Sequence, residues 1–383
     1  MQRISLTLKS LFRTMKKLFI AKLSAVALVL CLTSCNEEIQ LSGEFRETAV
    51  VYGLLDVSDN VHMIKITRAF IGPGNSLEIA NNPDSSYFNS VVATISEKVN
   101  NVVVRSWDLQ DTIVSNKETN GVWYAPEQKL YYFSTAGSSP LRDDAIYDLN
   151  ISINDGEFEV NGSTPIVYGL TTTAANTTFS FKFAQNLNDY KNTSVTINTG
   201  SGNNKAAVIN TKIEVGYEEI TGIDTVLRTF DWDLGEQEVG IDPTKGFAAQ
   251  GAVFYDLVRR NIDANDNPIC DKRNLSYLRL KIVGGGLDLY NYMVVNEPSS
   301  AIAQTKPTYT NLEATNGYTV IGIFSSTQTL DVIKPFHSTA SQFVRCIDKN
   351  SSIELCTGNY TGPYLFCSDH PTDLAFGYSW SCN

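Results

Sequence analysis

Tyr147-Asp148-Leu149-Asn150-Ile151-Ser152-Ile153-Asn154-Asp155-Gly156-Glu157-Phe158-Glu159-Val160 carries the clearest structural signal in the chain. Apolar side chains fall at Tyr147, Leu149, Ile151 and Ile153 and resume at Phe158 and Val160. A period of two gathers them on one face of an extended chain, where a helix would scatter them. Asp155-Gly156 separates the two runs and tolerates positive φ, so the stretch predicts an antiparallel hairpin with one buried face.

Outward from it, 91–99 and 102–107 flank Asn100-Asn101, a pair suited to a two-residue hairpin turn. Ala49-Val50-Val51-Tyr52-Gly53-Leu54-Leu55 reads as a central strand buried on both faces, whereas His62-Met63-Ile64-Lys65-Ile66-Thr67-Arg68 comes closer to alternation. Gly72-Pro73-Gly74-Asn75 and Asn81-Asn82-Pro83-Asp84 bracket a loop holding one helical turn, and loops are where binding usually resides. Short strands with turn signals between them predict an immunoglobulin-like or transthyretin-like β-sandwich over 45–168.

A boundary is expected at 164–173, where strand patterning gives way to a Thr-rich stretch. Beyond it, 169–336 reads as a second β-rich domain with strands at 179–183, 195–197, 207–215, 226–232, 275–283, 287–295 and 318–324. One helix is expected near 243–262: Asp242 caps, Pro243 suits the first helical position, and Phe247, Gly251, Phe254, Val258 and Ile262 form a stripe that reads as core. Arg259 and Arg260 stand near its C-terminus, where cations are favoured. The fold class is therefore mostly all-β, followed by a cysteine-rich tail over 337–383.

The opening 1–34 has the composition of a signal peptide. It holds Arg3, Lys9, Arg13, Lys16, Lys17 and Lys22 and no acidic residue, and 18–31 is an apolar run broken by Lys22. That run is too short and too charged for a bilayer core needing about 20 apolar residues. Leu32-Thr33-Ser34-Cys35 matches a lipobox, so the mature chain is expected to begin at a lipid-modified Cys35 with a solvated linker over 35–44. Two or three acyl chains make a stable anchor to a membrane, not a span. Asn36-Glu37-Glu38 resembles the export signal of surface lipoproteins in Bacteroidota, which favours the cell surface over the periplasmic face of the outer membrane.

Over the whole chain 30 basic residues stand against 41 acidic ones, a net charge of −11, and six of the basic residues leave with the signal. Such a chain repels phosphate backbones, which argues against nucleic acid as a partner. With 43% hydrophobic residues and no low-complexity tract, the mature part is expected to be folded. Of seven cysteines, Cys31 leaves with the signal and Cys35 takes lipid; Cys270, Cys346, Cys356, Cys367 and Cys382 remain as disulfide candidates. Four of them crowd the tail, where an oxidising compartment favours disulfides, with three pairings possible among four cysteines. No Cys-x-x-Cys pair is present, so a zinc site is disfavoured.

Catalytic signatures are scarce. His62, His337 and His370 lie in no metalloprotease or nucleophile-elbow motif, and His62 reads as structural. Asp263, Asn265 and Asp266 supply closely spaced oxygens that suit calcium, but Pro268 stands where an EF-hand loop needs glycine and a solvated loop is the simpler reading. Gly284-Gly285-Gly286 lacks phosphate-loop spacing and reads as a turn or bulge. Asp111-Thr112-Ile113 and Asp224-Thr225-Val226 look like bacterial O-glycosylation triplets. Trp107, Trp123, Trp232 and Trp380 read as packing in preference to sugar platforms. No cofactor is implied.

Several phrases resemble a family of Bacteroidota lipoproteins known as domain of unknown function 4249. They are Val51-Tyr52-Gly53-Leu54-Leu55-Asp56, Ile64-Lys65-Ile66, Ala69-Phe70-Ile71-Gly72-Pro73-Gly74-Asn75, Asp84-Ser85-Ser86-Tyr87-Phe88 and the Tyr147 hairpin. In the second half, Phe254-Tyr255, Asn296-Glu297-Pro298, Tyr309-Thr310-Asn311 and Gly322-Ile323-Phe324-Ser325-Ser326 are similar too. Thr327 stands where the family has a basic residue, and the tail after Phe336 has no counterpart. The resemblance implies an extracytoplasmic two-part β protein, often encoded near TonB-dependent transporters, with no assigned catalytic residues. The expectation is a non-enzymatic lipoprotein serving as a binding or accessory subunit of an outer-membrane transport or surface complex. The alternatives are a surface hydrolase with paired carboxylates, which converge only in the fold, and a structural adhesin, disfavoured by the lack of repeats.

Overall fold

The computed structural model describes residues 47–69, 82–115, 127–265, 268–296, 308–336 and 345–369, all within one unit, Arg46–Asn383. The first strands are β1 (Thr48–Asp56), β2 (Val61–Ala69), β3 (Val91–Val99), β4 (Val102–Asp108), β5 (Gln110–Val114), β6 (Gln128–Ser134), β7 (Ile146–Ile153) and β8 (Phe158–Pro165). Then come β9 (Leu170–Thr172), β10 (Ala184–Asn186), β11 (Asp189–Tyr190), β12 (Asn192–Thr199), β13 (Val208–Thr221), β14 (Asp224–Glu238) and β15 (Thr244–Gln250). Helix α1 (Gly251–Ala264), β16 (Lys272–Gly285), α2 (Leu287–Asn296), β17 (Leu312–Ala314), β18 (Thr319–Pro335) and α3 (Lys349–Thr357) complete the elements used below.

The fold is mostly β. An eight-stranded sheet runs β14-β13-β16-β18-β1-β2-β6-β5, and a five-stranded sheet runs β17-β8-β7-β3-β4. Three-stranded β15-β12-β9 and two-stranded β10-β11 stand apart. β18 joins the halves of the large sheet: 319–327 pair in parallel with β1, and 327–335 pair antiparallel with β16. Two cores result. One fills the space between the five-stranded sheet and β1, β2 and β6, with Val51, Ile64, Tyr147, Ile151, Phe158 and Phe324 fully buried. The other lies against β13 and β16 and takes in Val195, Ile197, Phe247, Phe254, Val258 and Leu278.

The Tyr147 hairpin forms as read. Ile153 pairs with Phe158, and Tyr147, Leu149, Ile151, Ile153, Phe158 and Val160 are at most 1% exposed. Its turn is longer than Asp155-Gly156 alone, because Asn154, Asp155 and Gly156 all take positive φ (50°, 59° and 92°). The second hairpin closes with Asn100 and Asn101 at φ 51° and 63°, the left-handed pair that a type I′ turn requires.

Other expectations change. β1 is central, but only Ala49, Val51, Gly53 and Leu55 face the core, leaving Tyr52 and Leu54 exposed. The expected helix near 243–262 begins eight residues late. Phe247 and Ala249 are buried in alternation, so 244–250 forms β15 opposite β12, and the helix starts at Gly251. Gly251 is required there, since a Cβ would stand 1.9 Å from the Phe183 carbonyl oxygen. The expected strand at 287–295 is helix α2, because Gly286, just past the end of β16, seats the helix on β18, with the Tyr290 N–H donating to the Gly286 carbonyl (3.0 Å). At 179–183 the alternation is right but the partner is not a strand: Phe181 N–H donates to Cys346 O (2.8 Å), and Phe183 N–H to Ser351 Oγ (2.8 Å). The described part of the tail is thus packed into the second core through Cys346, Ile347, Leu355 and Phe366.

Candidate functional site

The outer face of the five-stranded sheet is lined by polar side chains in register. Strand alternation dictates this, because Ala93, Ile95, Leu149, Ile151 and Val160 point inward and their neighbours must point out. One row crosses the strands as Thr94, Asn150, Asn161 and Glu313; the other as Ser106, Ser96, Asp148 and Ser163. Between and around them lies an open groove of about 530 Å³, lined also by Asn311. Gly162 in its floor has no room for a side chain on the core side, where a Cβ would meet Leu312 at 2.6 Å and Phe324 at 3.2 Å.

The groove's charges are largely matched from within. The Lys98 ammonium donates to Asp148 Oδ2, and the Ser163 hydroxyl donates to Asp148 Oδ1 (2.7 Å). Asn150 Nδ2 donates to Asn161 Oδ1 (2.7 Å), which leaves Asn150 Oδ1 as an acceptor and Asn161 Nδ2 as a donor facing the groove. Asn311 is held by both ends of its amide: Nδ2 donates to Phe324 O (2.6 Å) and Oδ1 accepts from Phe324 N (3.0 Å). Glu313 is exposed and faces the amide pair across the β17–β8 register. The result is a rigid surface of alternating donors and acceptors with an internally paired cation.

A second cleft of about 440 Å³ opens where β16 passes into α2, between Thr164, Lys205, Glu238, Asp288, Tyr290 and Ser326. Its polar groups serve the fold. Ser326 Oγ donates to Pro165 O (2.7 Å) and accepts from Val167 N (2.9 Å), Lys205 Nζ donates to Gly240 O (2.8 Å), and Asp288 accepts from the Tyr309 hydroxyl (2.6 Å). A paired-carboxylate hydrolase needs one protonated carboxyl beside a free carboxylate. In the groove Asp148 accepts from Lys98 and Ser163, and in the cleft Asp288 accepts from Tyr309, so both carboxyls already serve the fold.

The residues picked from sequence do not converge on either site. Cys270 and Cys346 are buried free thiols, and burial pushes the Cys346 thiol up to about 12; Cys356 is half-buried. Cys367 is disulfide-bonded, and Cys35 and Cys382 lie outside the described residues. His62 is buried against Phe133, ring centroids 4.7 Å apart, with no hydrogen-bond partner on either nitrogen. Burial lowers its pKa to about 4, against the pull of nearby Asp56. His337, His370, Trp123 and Trp380 lie outside the described residues, as does the 72–81 loop. Trp107 packs on Phe133 and under Arg105, and Trp232 packs on Phe183 and Phe254, so both serve cores.

Of the calcium candidates, Asp263 lies in the last turn of α1 and accepts from Arg259 (3.0 Å) and the Tyr364 hydroxyl (2.7 Å). Asn265 Nδ2 donates back to Asn261 O (2.7 Å), and Asp266 is outside the described residues. Gly284, Gly285 and Gly286 allow Leu170, Leu289 and Ser325 to pack closely, a packing role and no phosphate cradle. Thr112 and Thr225 lie on β5 and β14, the two edge strands of the large sheet. Among the described residues no helix is long and apolar enough to cross a membrane.

Sequence reading passed over Asn150, Asn161, Asn311 and Glu313. Their signal was present in part, since Asn150, Asn161 and Glu313 occupy outward positions of strands, while Asn311 stands just before β17. What was missing was the register that sets them side by side.

The chain matches no protein-family model and no curated protein, so the likeness to domain of unknown function 4249 rests on the phrases quoted above. Among solved structures, the C-terminal globular domain of an oligosaccharyltransferase from Pyrococcus abyssi aligns with 62% of this chain at 9% identity and a TM-score of 0.24. The match spans 46% of that chain, and at this level it carries no argument.

Proposed function

We propose that this chain is a membrane-tethered, extracytoplasmic binding subunit without catalytic chemistry of its own, held at the outer membrane by lipid on Cys35 and serving a transport or surface complex. The observation that carries the reading is the order of basic, apolar and small residues ending in Leu32-Thr33-Ser34-Cys35. The polar groove supports a binding role, because its Lys98 and Asp148 are paired with each other and its outward amides offer hydrogen-bond donors and acceptors. A TonB-dependent transporter is the partner proposed from the family resemblance. Mass spectrometry of the protein isolated from its host tests the anchor: the expected N-terminus is an acylated Cys35. An intact leader, or an unmodified Cys35 on a freely soluble product, refutes it. Cross-linking in detergent-solubilised membranes tests the partner, and recovery of the chain alone refutes the accessory role.

A further inference from the structure

We infer that the groove on the outer face of the five-stranded sheet binds a linear neutral oligosaccharide, laid across the strands over Asn150, Asn161 and Glu313. The inference rests on the binding-subunit reading and adds to it the chemistry of the ligand.

Three features select this class. First, the two polar rows run perpendicular to the strands, at a strand spacing of about 4.8 Å, so four strands offer a track of about 14 Å. The repeat is close to the width of a sugar ring, and the groove's 530 Å³ accommodates a few such units. Second, the groups left facing outward are Asn150 Oδ1, Asn161 Nδ2 and the Glu313 carboxylate, an acceptor, a donor and an acceptor on neighbouring strands. Vicinal hydroxyls each donate and accept, so a polyol satisfies all three at once, where a hydrocarbon satisfies none. Third, the one ammonium in the groove is neutralised by Asp148, Glu313 is negative, and the chain as a whole is at −11, which disfavours a polyanion.

A bound peptide fits less well. The rows lie on the sheet face, where main-chain groups are already paired between strands, so no ladder is available for strand addition. The groove also lacks an aromatic or aliphatic pocket to take an apolar anchor; among its lining residues only Leu149 is a large apolar one, and it points to the core.

Isothermal titration of the full-length protein in detergent with cellohexaose, maltohexaose and xylohexaose, against tri-galacturonate, tests the inference. The expected result is saturable binding of at least one neutral hexamer, with the acidic trimer weaker. Asn161→Ala and Glu313→Gln should each weaken it, the first by about tenfold, as loss of a directed hydrogen bond predicts. Asp231→Ala, on the exposed face of β14, should leave it unchanged. Circular dichroism of each variant separates lost binding from lost folding. No neutral hexamer binding to the folded protein overturns the inference, as does binding that both groove variants leave intact. The titration does not depend on the anchor, so an unmodified Cys35 with sugar bound, or an acylated Cys35 with none, shows which of the two readings has failed.

Discussion

Arg105→Met is expected to destabilise the sandwich by about 3–5 kcal/mol at pH 7, the cost of leaving a buried charge without its partner. Glu97 points inward from β3 with its side chain fully buried. Arg105 Nε donates to its Oε1 at 2.9 Å and Nη2 to its Oε2, while the Tyr147 hydroxyl donates to Oε2 at 2.7 Å. The same guanidinium donates to Ser139 O (2.7 Å) and Pro140 O (2.8 Å), tying that loop to the sheet. Burial alone would raise the Glu97 carboxyl, but hydrogen bonds from Arg105 and Tyr147, with the Arg105 charge, hold it below its ordinary value. A carboxyl lowered in the folded state contributes stability above its unfolded pKa, and that stability is lost as pH falls through the folded value.

In the variant the sign inverts. Tyr147 remains as a donor, but burial dominates and lifts the Glu97 pKa above the unfolded value of about 4.3. The deficit is then largest at neutral pH and shrinks as the medium approaches pH 4.5, where protonation removes the buried charge. Urea unfolding followed by circular dichroism at both pH values, with an unchanged m-value, measures it. The double variant Glu97→Leu with Arg105→Met should recover most of the loss, because neither charge is then buried. A deficit under about 1 kcal/mol, or one equal at the two pH values, would refute the account.

Other outcomes follow from single residues. Because the His62 pKa is lowered to about 4 by burial, the folded state resists a proton the unfolded state accepts, so stability should fall as pH drops from 6.5 to 4, by about 3 kcal/mol in total. His62→Phe should flatten that part of the profile in pH-dependent urea melts; an unchanged slope counts against it. Gly322 sits at φ +110° with a Cβ position 1.9 Å from Val51 O, so Gly322→Ala should cost about 3 kcal/mol or more in thermal melts. Gly137→Ala, at φ +76° in open space, should cost only about 1 kcal/mol. Iodoacetamide at pH 8 should leave Cys346 unmodified until urea is added, since burial holds its thiol up to about 12; labelling of the native protein at that site would contradict its burial.

Much of the first half was legible because its contacts are local. The β7–β8 and β3–β4 hairpins are each specified by alternation and a turn pair lying within 20 residues. Misreadings arose where two periods coexist. Phe247 and Gly251 are four apart, as in a helix, yet Phe247 and Ala249 answer to a strand, and only the pairing with β12 decides. Leu287-Asp288-Leu289-Tyr290-Asn291-Tyr292-Met293-Val294-Val295 carries β-branched and aromatic residues at its end, but the glycines before it allow a helix to dock where a strand was expected. The groove was illegible for a different reason. Asn150 faces Asn161 across a hairpin, which is local, but Glu313 joins the row only through β17, some 150 residues later. Similarly Thr327, odd by family pattern, takes its meaning from Asp56, whose buried carboxylate accepts from the hydroxyls of Thr327 (3.1 Å) and Thr329 (2.7 Å).

β18 has one further consequence, for the order in which the nascent polypeptide can acquire structure. Thr48 pairs with Thr319, so the first of the described strands to be synthesised waits for the last of them before its second edge is covered. Until then β1 presents an open edge and the apolar Val51 and Leu55 have no lid from Phe324, a state prone to misassociation. Premature termination anywhere before residue 319 therefore removes a wall from both halves at once, and a holding chaperone along the route would find its natural substrate in the amino-terminal strands.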